Sequence, residues 1–124
     1  MTVRGVRGAI SVDANDMEPI IAATRELLER IVAANDLQAG DVASVIFTAT
    51  PDLDAAYPAR AAREMGWTHV PLLCMQEMEV VDSLPRCVRV LVLWNTERDQ
   101  EEIKHVYLGQ ARGLRPDLVE EGET

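Results

Sequence analysis

The sequence predicts an α+β domain in which helices cover one face of a β-sheet. Three observations carry that expectation. The elements run strand, long helix, then mostly strands. Hydrophobic residues make up 48% of the chain and aromatic residues only 4%, so the core is to be built from Val, Ile, Leu, Ala and Met. At 124 residues there is material for one core and not for two.

Thr2 to Val12 reads as a strand, with Val3, Gly5 and Arg7 on one face and Arg4, Val6 and Gly8 on the other, the glycines leaving Arg7 unshielded. Asn15 or Asp16 can cap the helix that follows. Its first turn tolerates Pro19 and gains from Glu18 at the positive end. Ile20, Thr24, Leu27, Leu28, Ile31 and Val32 then share one helical face, up to about Asn35. After a turn at Gly40 and Asp41, Ala43 to Ala49 is β-branched and apolar enough for a buried strand, ended by Thr50-Pro51-Asp52.

Pro58 to Met65 predicts a short helix with Gly66 past its end, on which Arg60 and Arg63 share a face. In Val70 to Gln76 the proline at position 71 demands an edge strand or a later start. Cys87 to Thr96 carries the strongest alternation, with Cys87, Arg89, Leu91 and Leu93 on one face and Val88, Val90, Val92 and Trp94 on the other. An arginine on so apolar a face stands out. Gln100 to Ala111 fits a helix through Ile103, Val106, Tyr107 and Gln110, or a strand through His105-Val-Tyr-Leu. Arg112 to Thr124, with Gly113, Pro116 and several acids, reads as an extended tail, mobile at its tip.

The formal charge of −9 argues against nucleic acid and against an anionic membrane as partners. The acids gather in Glu97, Asp99, Glu101 and Glu102 and again in Asp117, Glu120, Glu121 and Glu123, so the total says little about a local pocket. No apolar run approaches the ~20 residues of a membrane helix. No secretory leader is expected, and Cys74 and Cys87 read as reduced cytoplasmic thiols.

Metal binding is disfavoured, because His69, His105, Cys74 and Cys87 show none of the close paired spacings of a zinc site. No glycine-rich phosphate loop is present. What remains is a set of arginines in or beside apolar strands, with Glu77 close after Cys74. Any one of them can be an ordinary surface or salt-bridged side chain. Several together imply a small polyanionic ligand, since a planar, permanently charged guanidinium grips carboxylates bidentately.

The blocks Arg4-Gly-Val-Arg-Gly-Ala, Ala49-Thr-Pro-Asp-Leu, Cys74-Met-Gln-Glu-Met, Arg86-Cys-Val-Arg-Val, His105-Val-Tyr-Leu and Leu114-Arg-Pro-Asp-Leu occur in one order along the chain. Together they resemble the AroH-type chorismate mutases, from residue 1 to about residue 118. The resemblance implies a single domain over residues 1–118, an acidic flexible tail over 119–124 and no further domain. It also implies a trimeric pseudo-barrel of YjgF-like architecture, with helices outside the sheets and active sites between protomers. His105 to Ala111 then becomes a strand preceded by a short helical turn.

The implied reaction is the pericyclic rearrangement of chorismate to prephenate in phenylalanine and tyrosine biosynthesis, with no cofactor. Carbon–oxygen cleavage runs ahead of carbon–carbon formation, so catalysis consists of holding a folded conformer and stabilising charge on the ether oxygen. Carried over by motif, Arg89 on a dry strand face donates to the ether oxygen and the side-chain carboxylate. Arg7 and Tyr107 hold the enolpyruvyl carboxylate. Glu77 and Cys74 meet the ring hydroxyl and the electron-poor side of the ring. A neighbouring protomer supplies a wall of Tyr57, Ala59, Arg60, Leu72 and Leu73, with Arg63 at the mouth and Leu114 and Arg115 on the tail that closes over the site. The chain departs from the family pattern at Tyr57, Arg60 and Leu73 and by one residue fewer before Trp67.

Plainer roles stand beside these. Cys74 also fits a buried structural thiol, Tyr57 and Leu73 fit core positions, and Arg60 and Arg63 fit guidance or surface salt bridges. Arg25 and Arg30 fit a solvated helix face. Two other functions share the architecture: a trimeric imine deaminase of the YjgF-like group, faintly suggested by Pro58-Ala-Arg, and a non-catalytic trimer that binds a carboxylate metabolite.

Overall fold

The computed structural model describes residues 1–118. The tail expected over 119–124 lies outside the described residues. The main elements are β1 (Thr2–Ser11), α1 (Met17–Asn35), β2 (Val42–Ala49), α2 (Ala59–Glu64), β3 (Leu72–Gln76), β4 (Cys87–Thr96) and β5 (Val106–Leu108). The sheet is mixed and runs β3-β2-β4-β1-β5. β4 is antiparallel to both β1 and β2, whereas β5 joins β1 and β3 joins β2 in parallel. β3 begins after Pro71, whose missing N–H would have interrupted the ladder, and it forms an edge.

Both helices lie on one face of this sheet. Alternation turns Val6 and Ile10 of β1, Val45 and Phe47 of β2, Val88, Val90 and Val92 of β4 and Val106 and Leu108 of β5 toward Ile20, Leu27, Leu28 and Ile31 of α1 and Ala59 and Ala62 of α2. α1 approaches β1 closely at Gly8. A Cβ there would stand 2.9 Å from Ile31 Cδ1 and 3.1 Å from Leu27 Cδ1, so the ends of those side chains would have to shift. Gly8 therefore admits the helix, and it does not serve to unshield Arg7, which projects from the opposite face.

α1 begins after Asp16, whose side chain makes no capping bond, while Asn15 binds Asp54 and the backbone N–H of Asp54 and Ala55. It ends with Asp36 in the left-handed region at φ 53°. Fully buried Asn35 donates to the carbonyls of Ile31 and Lys104 and accepts the Lys104 N–H, which fastens the helix to the approach of β5. The strand expected over His105–Ala111 is shorter, Val106–Leu108. Gly109 turns out of it at φ 60°, the Gln110 N–H goes to Ser11 Oγ, and Gly109–Gly113 continues as a 3-10 turn. The extended tail expected from Arg112 is likewise replaced, up to residue 118, by this turn and a second one at Pro116–Leu118.

Candidate active site

The face of the sheet away from the helices gathers the polar and charged candidates. Register puts Met75, Thr48, Arg89, Ala9 and Tyr107 in one row across all five strands, and Arg7 two residues along β1 from Ala9. The start of β4 is pinned by a small network that sets this row. Thr50 Oγ1 accepts the Cys87 N–H at 3.0 Å and donates to Asp52, whose carboxylate accepts the N–H of Arg86, itself at φ 45°. A shift of one residue would send Arg89 to the helix side.

Arg7, Thr48, Met75, Glu77, Arg89 and Tyr107 line an open cleft of about 400 Å³. Glu77 follows β3, its backbone N–H bonded to Ala49 O at 2.9 Å. Its Oε2 accepts from Thr48 Oγ1 at 2.5 Å and lies 3.2 Å from Arg89 Nε. That last contact is an ion pair but not an aligned hydrogen bond, so the buried Nε–H of Arg89 is unsatisfied. The side chain as a whole is 42% exposed. The dry environment expected of its strand face therefore belongs to the other face of β4, and only Nε is shut off from water within one chain. Arg7 is exposed and makes no ion pair among the described residues.

Tyr107 is buried under Ala111 and Leu114 at the β5 edge of the same face. Burial raises its phenol pKa, opposed by the positive charges of Arg7, Arg115 and Arg89. Arg115 forms a bidentate pair with Asp117, at 3.1 Å and 2.9 Å, which raises the arginine and lowers the carboxyl. Beneath Arg7, His105 Nδ1 accepts the Arg7 backbone N–H at 2.9 Å, so the ring is neutral with its proton on Nε2. Burial first, then Arg7 and Arg115, pull its pKa below the ordinary value.

This has a consequence for stability. A histidine held below its unfolded pKa leaves stability intact well above about pH 6.5; as pH falls through that value the unfolded chain takes the proton first and stability drops, levelling off once folded His105 is protonated. Unfolding free energy is expected to decline as pH falls through about 6.5, the unfolded value, and His105→Asn, whose side-chain oxygen can accept the same N–H, to flatten that decline. Parallel denaturant titrations of the two chains measure it.

The structure separates several residues expected together. Cys74 lies on the opposite face of β3 from Met75, against the helix-side core, and lines a second cavity of about 450 Å³ with Phe47 and Tyr57. Met75 borders both cavities. Ala59, expected in the wall, is 4% exposed and part of the core, and Leu72 packs against that core. Alternation along β3 and the buried face of α2 account for these placements. Tyr57 is 72% exposed and Leu73 55%, so neither is a core residue within one chain. Arg60 is exposed, bonded to Glu64 Oε2 at 2.9 Å and to Met17 Sδ, while Arg63 is exposed with no ion pair among the described residues. Burial pushes the Cys87 thiol up to about 11, so it is a neutral core group. Sequence reasoning missed Thr48 and His105; the alternation of Val45 and Phe47 with Ile46 and Thr48 already marked the first.

A family model, chorismate mutase type I, matches residues 3–118. The chain belongs to this family. It is similar to a chorismate mutase AroH of Thermus thermophilus, 53% identical over 117 residues, covering 94% of this chain and 96% of that one. It is also similar to a chorismate mutase AroH of Bacillus subtilis, 45% identical over 119 residues, covering 95% and 94%. A solved chorismate mutase from Clostridium thermocellum superimposes with a TM-score of 0.87 at 48% identity, over 88% of this chain and 97% of that one. The chorismate mutase fold and the cleft on its open sheet face thus go together in this chain. Among the described residues no helix is long and apolar enough to cross a membrane, and no group of three or more His, Cys, Asp or Glu is placed to hold a metal ion.

Proposed function

We propose that the cleft is a chorismate mutase active site, which rearranges chorismate to prephenate without a cofactor. The observation that carries it is the cluster of Arg7, Glu77, Arg89 and Tyr107 on one sheet face. Chorismate is a dianion with a ring hydroxyl and an ether oxygen, and its rearrangement needs no nucleophile, acid or base. It needs a folded conformer and a cation where negative charge grows. Arg7 and Tyr107 take the enolpyruvyl carboxylate, Glu77 the ring hydroxyl, and the unsatisfied Nε–H side of Arg89 the ether oxygen.

The working unit in this reading is a homotrimer of single domains spanning residues 1–118, in the cytoplasm, with each cleft closed by a neighbouring copy. The apolar residues of the open face support it: Val3, Leu73 and Met75 are exposed, and Leu91 and Leu93 are half-buried. Two edge strands and an exposed Tyr57 offer further contact. A copy laid on this face would dry Arg89 and strengthen its charge. Tyr57 and Leu73 then serve as a neighbour's wall, and Leu114 and Arg115 close the β5 side. The free thiols of Cys74 and Cys87 suit a reducing compartment.

The test is loss of chorismate absorbance on adding the purified protein, with prephenate identified as product; no acceleration would overturn the reading. Sedimentation of the same sample decides the trimer. Arg63→Ala is expected to raise KM several-fold, on the order of tenfold, with kcat largely kept, as for a group that guides the substrate at the mouth. A collapse of kcat in steady-state assays would contradict that role.

A further inference from the structure

We propose that Thr48 is a positioning residue for the reaction, orienting the Glu77 carboxylate through its hydroxyl; the proposal rests on the chorismate mutase reading of the cleft. Glu77 stands one residue past the end of β3, so the sheet fixes its backbone through Ala49 O but leaves its side chain several rotamers. Thr48 lies beside it on β2, a strand paired on both sides, in the row between Met75 and Arg89. An ionised carboxylate only accepts, so the hydroxyl must donate, and Oγ1 meets Oε2 at 2.5 Å. β-Branching limits the rotation of Thr48 itself, which makes it a stiff donor.

The consequence falls on both neighbours. Thr48 and Arg89 meet the same carboxylate oxygen, Oε2, which leaves Oε1 for the substrate hydroxyl. Because Oε2 is held by Thr48, Arg89 Nε stays near it at 3.2 Å without spending its N–H on it. Without the hydroxyl, Glu77 is free to swing into line with that N–H and compete with the ether oxygen for it. Thr48 thus acts through Glu77 and does not touch the reacting atoms.

The experiment measures chorismate turnover by wild type, Thr48→Val, Thr48→Ser, Glu77→Ala and the double variant Thr48→Val with Glu77→Ala. Valine keeps the shape and removes the donor. It is expected to lower kcat about tenfold, the scale of one hydrogen bond to a charged group, with KM changed less than about twofold. Serine is expected to return most of the lost rate. In the Glu77→Ala background the valine is expected to cost less than about twofold, because the group it positions is gone. A valine variant as fast as wild type, a serine variant no better than valine, or an undiminished loss in the Glu77→Ala background would overturn the proposal. Thr48→Ala replaces the valine in the series if that variant does not fold. A wild-type protein without turnover overturns the activity reading itself, whereas active wild type with an additive cycle overturns only the role of Thr48.

Discussion

Arg89→Ala is expected to lower kcat for chorismate by at least about 10² and toward 10³, the loss that follows removal of one preorganised donor to a developing negative charge. The expectation is largest here because of where the guanidinium sits. Its Nε–H is buried and unsatisfied, held near Glu77 yet not consumed by it. An orphan donor of this kind is costly in the free protein and is relieved only when an acceptor arrives. The ether oxygen becomes a better acceptor as its bond to carbon breaks, so the interaction strengthens in the transition state and the loss falls on kcat more than on KM. Arg89→Lys is expected to recover part of the rate, since it restores a charge but not the planar fork. Because the side chain is partly exposed, thermal unfolding should shift little. A mild defect in kcat would place the charge stabilisation elsewhere in the cleft.

The formal charge of −9 does not work against this cation. The acidic run begins at Glu97, just past the far end of β4, and Thr96 is separated from Arg89 by seven strand positions, about 23 Å at ~3.3 Å per residue. That exceeds the ~8 Å screening length at physiological ionic strength. Those acids are also engaged locally, Glu97 with the amino terminus at 3.4 Å and Asp99 with Arg4 at 3.8 Å. Asp117, in the segment that follows β5, is paired with Arg115.

The alternation of β4 was legible from its residues alone and put Arg89 on a different face from Val88, Val90 and Val92. Which of those faces the helices cover was not, because both are apolar in sequence. The helical periodicity of α1 was legible for the same reason its buried stripe is continuous. Gly8 misled, since a glycine beside an arginine reads as clearance for the side chain, while the clearance is for Leu27 and Ile31 on the other side. Tyr107 came from the His105-Val-Tyr-Leu block; the length of β5 did not, because it ends where Gly109 adopts a positive φ. Cys74 and Glu77 share one block, but Cys74 faces the helix-side core from β3 while Glu77, just past the strand's end, reaches the open face, which becomes visible only once the strand's ends are known.

Phe47→Ala is expected to cost about 3 kcal/mol or more, from a range of roughly 3–5 for large aromatic truncations, out of a total that is typically 5–15 kcal/mol. Phe47 is the single phenylalanine of the chain and is fully buried on β2, opposite Val90 of β4 and Cys74 of β3. Part of the space it would vacate opens toward the Tyr57 and Cys74 cavity that it already lines, so the new void is not sealed and the cost belongs at the lower end of the range. Its neighbour Thr48 projects to the other face, with Glu77 and Arg89. Activity per folded molecule should therefore stay within a few-fold of wild type even as stability falls, the reverse of the pattern expected for Arg89→Ala. Urea unfolding followed at fixed protein concentration, with the slope unchanged and the midpoint lowered, checks the first half, and kcat at low temperature checks the second. A loss below about 1 kcal/mol would mean that this layer does not carry the core, and a matching collapse of kcat would mean that the two faces of β2 are not separable.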